Sequence, residues 1–128
     1  MECPACRKQM IILEFNHVEL DFCPVCRGCW MDRGELGLLL HGQPELPDDL
    51  NIRGETKSKR RCPRCRKKMR AGILPGTEVE MDICFQDGIW LDKGEPQAIA
   101  REKANTERGS AFIEFVSNVL GGWKREYE

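Results

Sequence analysis

Two Cys-Pro-x-Cys pairs stand within the first 26 residues, at Cys3/Cys6 and Cys23/Cys26, and a third pair, Cys62/Cys65, restarts the pattern about 60 residues later. Two cysteines separated by two residues let the backbone turn both sulfurs toward one point. Two such knuckles supply the four thiolates that Zn2+ takes tetrahedrally. The competing reading, a disulfide framework, requires an oxidising compartment. The chain opens Met1-Glu2-Cys3, with no basic region or apolar core ahead of the first sulfur. The expectation is therefore a metal-clamped, cytoplasmic protein. Tetrahedral sulfur suits zinc or iron, and the spacing leaves that choice open.

At 128 residues the length suits one ordinary domain or two very small ones, and the cysteine repeat favours two. Segments this small bury little apolar surface and gain folding free energy from bound metal. No apolar run approaches the roughly 20 residues that span a bilayer, so no membrane partner is expected.

The second half echoes the first. Segments 10–15 and 18–22 read as strands joined at Asn16-His17, because Val18, Leu20 and Phe22 alternate with Glu19 and Asp21. Segments 69–74 and 77–83 repeat this around Pro75-Gly76, with Val79, Met81 and Ile83 alternating with Glu78, Glu80 and Asp82. Past the last knuckle, Gly28-Cys29-Trp30-Met31-Asp32-Arg33-Gly34-Glu35 matches Gly88-Ile89-Trp90-Leu91-Asp92-Lys93-Gly94-Glu95. Asp32 with Glu35 has the shape of a helix N-cap and its reciprocal partner, which predicts a short helix over 36–41 closed by Gly42 and Pro44. In the second half Pro96 predicts a helix starting there, with Glu95 before it. Trp30 and Trp90 are expected as core packing over the ribbons beside the metal.

The pattern Cys-Pro-x-Cys, hairpin, Cys-Pro-x-Cys-x-Gly-x-Trp-Met-Asp-x-Gly-Glu-Leu resembles the transcription-factor-IIB-type zinc-ribbon family, closely over 3–36 and with a defect over 62–95. The resemblance implies a small metal-stabilised α+β fold of two rubredoxin-like zinc ribbons, each a β-hairpin with two knuckles, with Cys3, Cys6, Cys23 and Cys26 as zinc ligands. The family's transcriptional name describes a fold analogy, and function does not follow from fold. The organisation expected is a first ribbon with its short helix at 1–41, a linker at 42–58, a second ribbon at 59–95 and a helical segment at 96–128.

The defect lies in the fourth ligand of the second site. Cys62, Cys65 and Cys84 are followed by Asp87 at the position where a cysteine would stand. A carboxylate oxygen can complete a zinc tetrahedron, although it exchanges more readily than thiolate. Three outcomes stay open: a Cys3Asp zinc site, a three-sulfur site completed by water, and no metal. An open position also suits catalytic zinc, but no general base or pocket is identifiable beside it, and the reading is not an enzyme. Cys29 is a further cysteine beside the first site. It is read as a small packing residue, with ligand exchange or redox chemistry as the alternative. His17 and His41 read as solvent-facing.

The net charge of −1 hides a strong segregation. Ten cations (Arg53, Lys57, Lys59, Arg60, Arg61, Arg64, Arg66, Lys67, Lys68, Arg70) face one acid, Glu55, while residues 1–52 and 71–128 each carry an excess of five acids. Such a stripe meets a polyanion or pairs with the molecule's own acids. Lys57, Lys59, Arg60, Arg61, Arg64, Arg66, Lys67, Lys68 and Arg70 are the candidate nucleic-acid contacts, through phosphate alone, since the segment holds no aromatic for base stacking. After a polar helical stretch over 97–107 and a break at Gly109-Ser110, Phe112, Phe115, Val116, Val119, Leu120 and Trp123 recur at three- and four-residue steps. That apolar face docks on the ribbons, pairs with a second copy or recruits a protein partner. The sequence thus points to a non-enzymatic zinc module associated with nucleic acid. The alternatives are an interaction adaptor working through the C-terminal helix and a redox or metal-handling protein.

Overall fold

The computed structural model describes residues 1–103, 106–116 and 118. In the first half, β1 (Ile11–Phe15) and β2 (Val18–Phe22) form a hairpin whose register pairs Phe15 with Val18. Asn16 and His17 connect them with φ of 49° and 66°, the two-residue turn with both central residues left-handed that matches strand twist. β3 (Cys29–Asp32) adds beside β2. The second half repeats this with β5 (Lys68–Ile73), β6 (Glu80–Cys84) and β7 (Gly88–Leu91). Here the turn is longer than the alternation predicted. Thr77 donates its hydroxyl to the Leu74 carbonyl at 2.7 Å and accepts the Val79 N–H at 3.0 Å, which holds residues 77–79 out of the strand.

The two halves share one sheet. β3 pairs antiparallel with β7, giving seven strands in the order β1-β2-β3-β7-β6-β5-β4. Cys29 faces Leu91, Trp30 faces Trp90 and Met31 faces Ile89. Equivalent residues of the two ribbons exchange places across this seam, the signature of a local two-fold axis within a single chain.

The segment expected as a linker is structured. A 3-10 turn at Pro47–Leu50 buries Pro47 and Leu50, and β4 (Arg53–Arg61) pairs with β5 as the far edge of the sheet. Only Ser58 of β4 is buried, donating its hydroxyl to Asp82 at 2.6 Å. An edge strand exposed on both faces carries no apolar alternation, so periodicity did not reveal it.

α1 (Glu35–His41) follows β3, and α2 (Glu95–Lys103) follows β7. Half of the expected capping box forms: the Asp32 N–H donates to Glu35 Oε1 and the Asp92 N–H to Glu95 Oε1, both at 2.6 Å. Asp32 does not cap α1. Gly34 occupies that position at φ 89°, because the Asp32 carboxylate accepts Trp30 Nε1 at 2.9 Å and the Arg64 guanidinium. α3 (Thr106–Val116) runs through Gly109-Ser110, where a break was expected. Phe112 is 1% exposed, and its ring and that of Phe115 lie 5.5 and 4.8 Å from the ring of Phe15. The helix therefore covers the first hairpin, with Phe112 a core residue rather than a partner surface and Phe115 partly buried against that core. The backbone of Val116 closes α3, while Val119, Leu120 and Trp123 lie outside the described residues.

Candidate metal centres

Each knuckle is built by its backbone. In the first, the Ala5 and Cys6 N–H groups point at Cys3 Sγ (3.3 and 3.4 Å), and the Arg7 N–H closes on the Cys3 carbonyl at 2.9 Å, with Arg7 left-handed at φ 67°. Arg27 and Arg66 take the same conformation after the second and third knuckles, at φ 65° and 68°. These amides solvate sulfur as thiolate and aim the paired side chains at one point.

Cys3, Cys6, Cys23 and Cys26 place their sulfurs within 4.8 Å of one another, and so do the ligand atoms of Cys62, Cys65, Cys84 and Asp87. The close pairs are Cys3–Cys26 at 3.5 Å, Cys6–Cys23 at 3.4 Å and Cys65–Cys84 at 3.8 Å. A disulfide needs about 2.05 Å, and every cysteine is free. The edge of a tetrahedron with Zn–S near 2.3 Å is about 3.8 Å. Both donor sets therefore fit zinc, which would supply a structural cross-link between the knuckles. Asp87 does fall in the fourth position of the second set: its Oδ2 lies 3.4 Å from Cys62 Sγ and 3.5 Å from Cys84 Sγ. The last knuckle is tighter than the others, with the Asp87 N–H on the Cys84 carbonyl at 3.1 Å.

Burial pushes the Cys3 and Cys26 thiols up, and Cys62 up to about 12. At Cys6 burial is the largest single effect, but the Lys8 backbone N–H and the Cys23, Cys3 and Cys26 side chains together outweigh it, and the thiol sits below its ordinary value. Hydrogen bonding from Cys65 holds the Asp87 carboxyl down. Ionising thiols buried in this way is costly without a cation beside them, so metal binding is coupled to proton release.

The two centres are not independent. Cys3, Cys23, Cys62, Met10, Met69, Trp30 and Trp90 form one buried cluster at the seam. Each tryptophan crosses to the other ribbon. A Cβ on Gly88 would lie 2.9 Å from Trp30 Cζ2, and one on Gly28 would lie 2.6 Å from Trp90 Cη2. The expectation placed the tryptophans beside the metals, and it missed that the glycine two residues ahead of each is kept clear for the other's ring. Trp90 Nε1 donates to Asp92 at 3.1 Å, as Trp30 does to Asp32.

Three cations of the basic stripe are paired with acids. Arg60 pairs with Asp92 at 2.6 Å and Asp82 at 3.1 Å, Arg70 with Glu55 at 2.7 Å, and Arg64 reaches across the seam to Asp32. Lys57, Lys59, Arg61, Arg66, Lys67 and Lys68 are exposed and make no ion pair among the described residues. Cys29 sits apart from the four sulfurs, 4% exposed among core residues, with burial pushing its thiol up. His17 and His41 are exposed and belong to neither donor set.

No helix of the described residues is long and apolar enough to cross a membrane. No curated protein and no solved structure matches the chain. Residues 2–41 match the family described as transcription factor zinc-finger, a zinc ribbon of the transcription-factor-IIB type. The four sulfurs of the first donor set converge inside that span, so residues 2–41 are similar in sequence and in ligand geometry to a zinc ribbon of the transcription factor zinc-finger family.

Proposed function

We propose that the protein is a non-enzymatic zinc module that binds the phosphate backbone of nucleic acid through the cations of 53–70. One observation carries this: Lys57, Lys59, Arg61, Arg66, Lys67 and Lys68 remain exposed and outside any ion pair among the described residues, although the flanks are rich in acids. Zinc at the two donor sets holds the knuckles that present Arg66 and Lys67. Binding of this kind is sequence-independent and salt-sensitive. A duplex of arbitrary sequence titrated from 50 to 200 mM salt tests it. Affinity falling steeply with salt, and a shallower slope for Arg61→Gln/Lys67→Gln/Lys68→Gln, is expected. Absence of binding at low salt, or indifference to those substitutions, removes the reading. Arg60, Arg64 and Arg70 are poor probes because their replacement also breaks ion pairs.

A second reading, an interaction adaptor, is favoured by the other sheet edge. Ile11 and Ile12 of β1 are 44% and 64% exposed on a strand with one free side. Mass measured against concentration, with and without Ile12→Lys, tests it: an oligomer lost on substitution supports the adaptor, and a monomer at all concentrations removes self-association.

A further inference from the structure

We infer that the cleft between the two ribbons' first knuckles is a phosphate site, and that Arg7, outside the basic stripe, is one of its principal ligands. The inference rests on the nucleic-acid reading above and locates it. Repeat symmetry makes Cys3-Pro4 equivalent to Cys62-Pro63 and Arg7 equivalent to Arg66, and the two knuckles flank one cleft of about 110 Å³. Arg7 and Arg66 enter it from opposite ribbons, each projected by the same left-handed turn. β4 adds Lys59 and Arg61, and Arg61 is steadied by donating Nη1 to the Arg66 carbonyl at 3.0 Å. Arg60 also lines the cleft, but Asp82 and Asp92 already neutralise it. Four cations outside any ion pair among the described residues thus surround a concavity whose one carboxylate is Glu2, with Cys3 and Cys62 also on its wall.

An excess of positive charge around a cleft with low-dielectric walls focuses the field within it, and guanidinium forks converging from two sides match a tetrahedral oxyanion better than a flat lysine-rich face does. A lysine-rich surface alone would attract a polyanion without a preferred seat. Here the pseudo-two-fold axis provides one, where a backbone phosphodiester would touch both ribbons together. Without an aromatic side chain lining the cleft, a duplex backbone suits it better than unstacked bases.

The test is anisotropy of a labelled 20-base-pair duplex with the full chain, zinc-loaded, from 50 to 200 mM salt. The zinc content of every variant is counted by native mass spectrometry. Arg7→Gln and Arg66→Gln are each expected to weaken binding at least fivefold at 100 mM salt and to reduce the salt slope by about 0.9. Lys8→Gln, a charge removed from the same turn but outside the cleft, should weaken it less than twofold. Arg7→Lys should recover only part of the loss, since it restores charge but not the fork. If the wild type does not bind the duplex at 50 mM salt, the nucleic-acid reading itself falls and this site with it. If the wild type binds and Arg7→Gln behaves like Lys8→Gln, the cleft assignment is overturned while the broader reading stands. Loss of zinc from Arg7→Gln would overturn it differently, by showing that the cation serves the thiolate centre. Inorganic phosphate bound by the wild type, with duplex binding unchanged in both arginine variants, would assign the cleft to free phosphate and overturn the backbone contact.

Discussion

Trp30 and Trp90 are register partners across the β3–β7 seam, and each lays its ring against the glycine that precedes the other by two residues. The relation is reciprocal because β3 and β7 pair antiparallel with Trp30 facing Trp90. It joins two metal centres through a single buried cluster.

The glycines should therefore be intolerant of any side chain. Gly28→Ala forces a methyl into Trp90 and is expected to destabilise the zinc-loaded protein by about 1–3 kcal/mol, the usual cost of overpacking. Gly88→Ala should cost at least as much, because Gly88 is also held at φ 152°. Urea unfolding followed by tryptophan fluorescence reads both. Gly54, open on all sides, is the control for a left-handed glycine without neighbours.

Metal removal should be stepwise at first and then cooperative. The second set offers three sulfurs and one carboxylate oxygen, a harder and more exchangeable donor. Native mass spectrometry during chelator titration should show two zinc ions, then one, with Cys62, Cys65, Cys84 and Asp87 emptied first. Asp87→Ala should shift that first loss to lower chelator concentration, and Asp87→Cys should delay it. Once the first set is stripped, structural zinc worth on the order of 10 kcal/mol is gone and the sheet should unfold.

Glu35 and Glu95 are pushed up to about 7, chiefly by burial, with Asp32 and Asp92 respectively adding repulsion. Both carboxyls hold protons more tightly folded than unfolded, so their contribution is complete below the ordinary value of 4.5 and is lost as pH rises to about 7. Glutamine keeps the acceptor for the Asp32 or Asp92 N–H and cannot ionise. Glu35→Gln/Glu95→Gln should thus match the wild type near pH 5 and exceed it near pH 8. The gain is about 1 kcal/mol per site after discounting for partial exposure. Comparison at each pH removes the separate loss of zinc as thiols protonate.

Phe112→Ala should behave as a core truncation. The ring is buried against Phe15 and Phe115, and its removal is expected to cost about 3–5 kcal/mol in thermal or urea unfolding. A change under 1 kcal/mol would mean that α3 is not docked on the first hairpin in solution.

The cysteine knuckles, the first hairpin and the existence of a short helix after each Trp-x-Asp segment were legible because each depends on local chemistry, namely knuckle spacing, two-residue alternation, and Glu35 or Pro96 at a helix start, while the cap of α1 and the length of the second turn were not. β4 was not legible, since Arg53–Arg61 is an edge strand whose order comes from β5 and from Asp82, neither of which leaves a periodic trace in its own residues. The Gly109-Ser110 break failed for a similar reason, as contact of Phe112 with Phe15 outweighs a weak helix former. Equivalence of Arg7 and Arg66 could be read from the repeat, but not that they share a cleft.

The amino-acid order by itself determined the cysteine knuckles and their spacing, because a knuckle closes over a few bonds, and it left open whether Asp87 would complete the second group. Only the tertiary structure decided that the repeats would meet edge to edge, exchange tryptophans and divide the basic stripe into paired and exposed cations. Those outcomes depend on surfaces far apart in the chain fitting together, and their energies belong to the pairing and to no single segment.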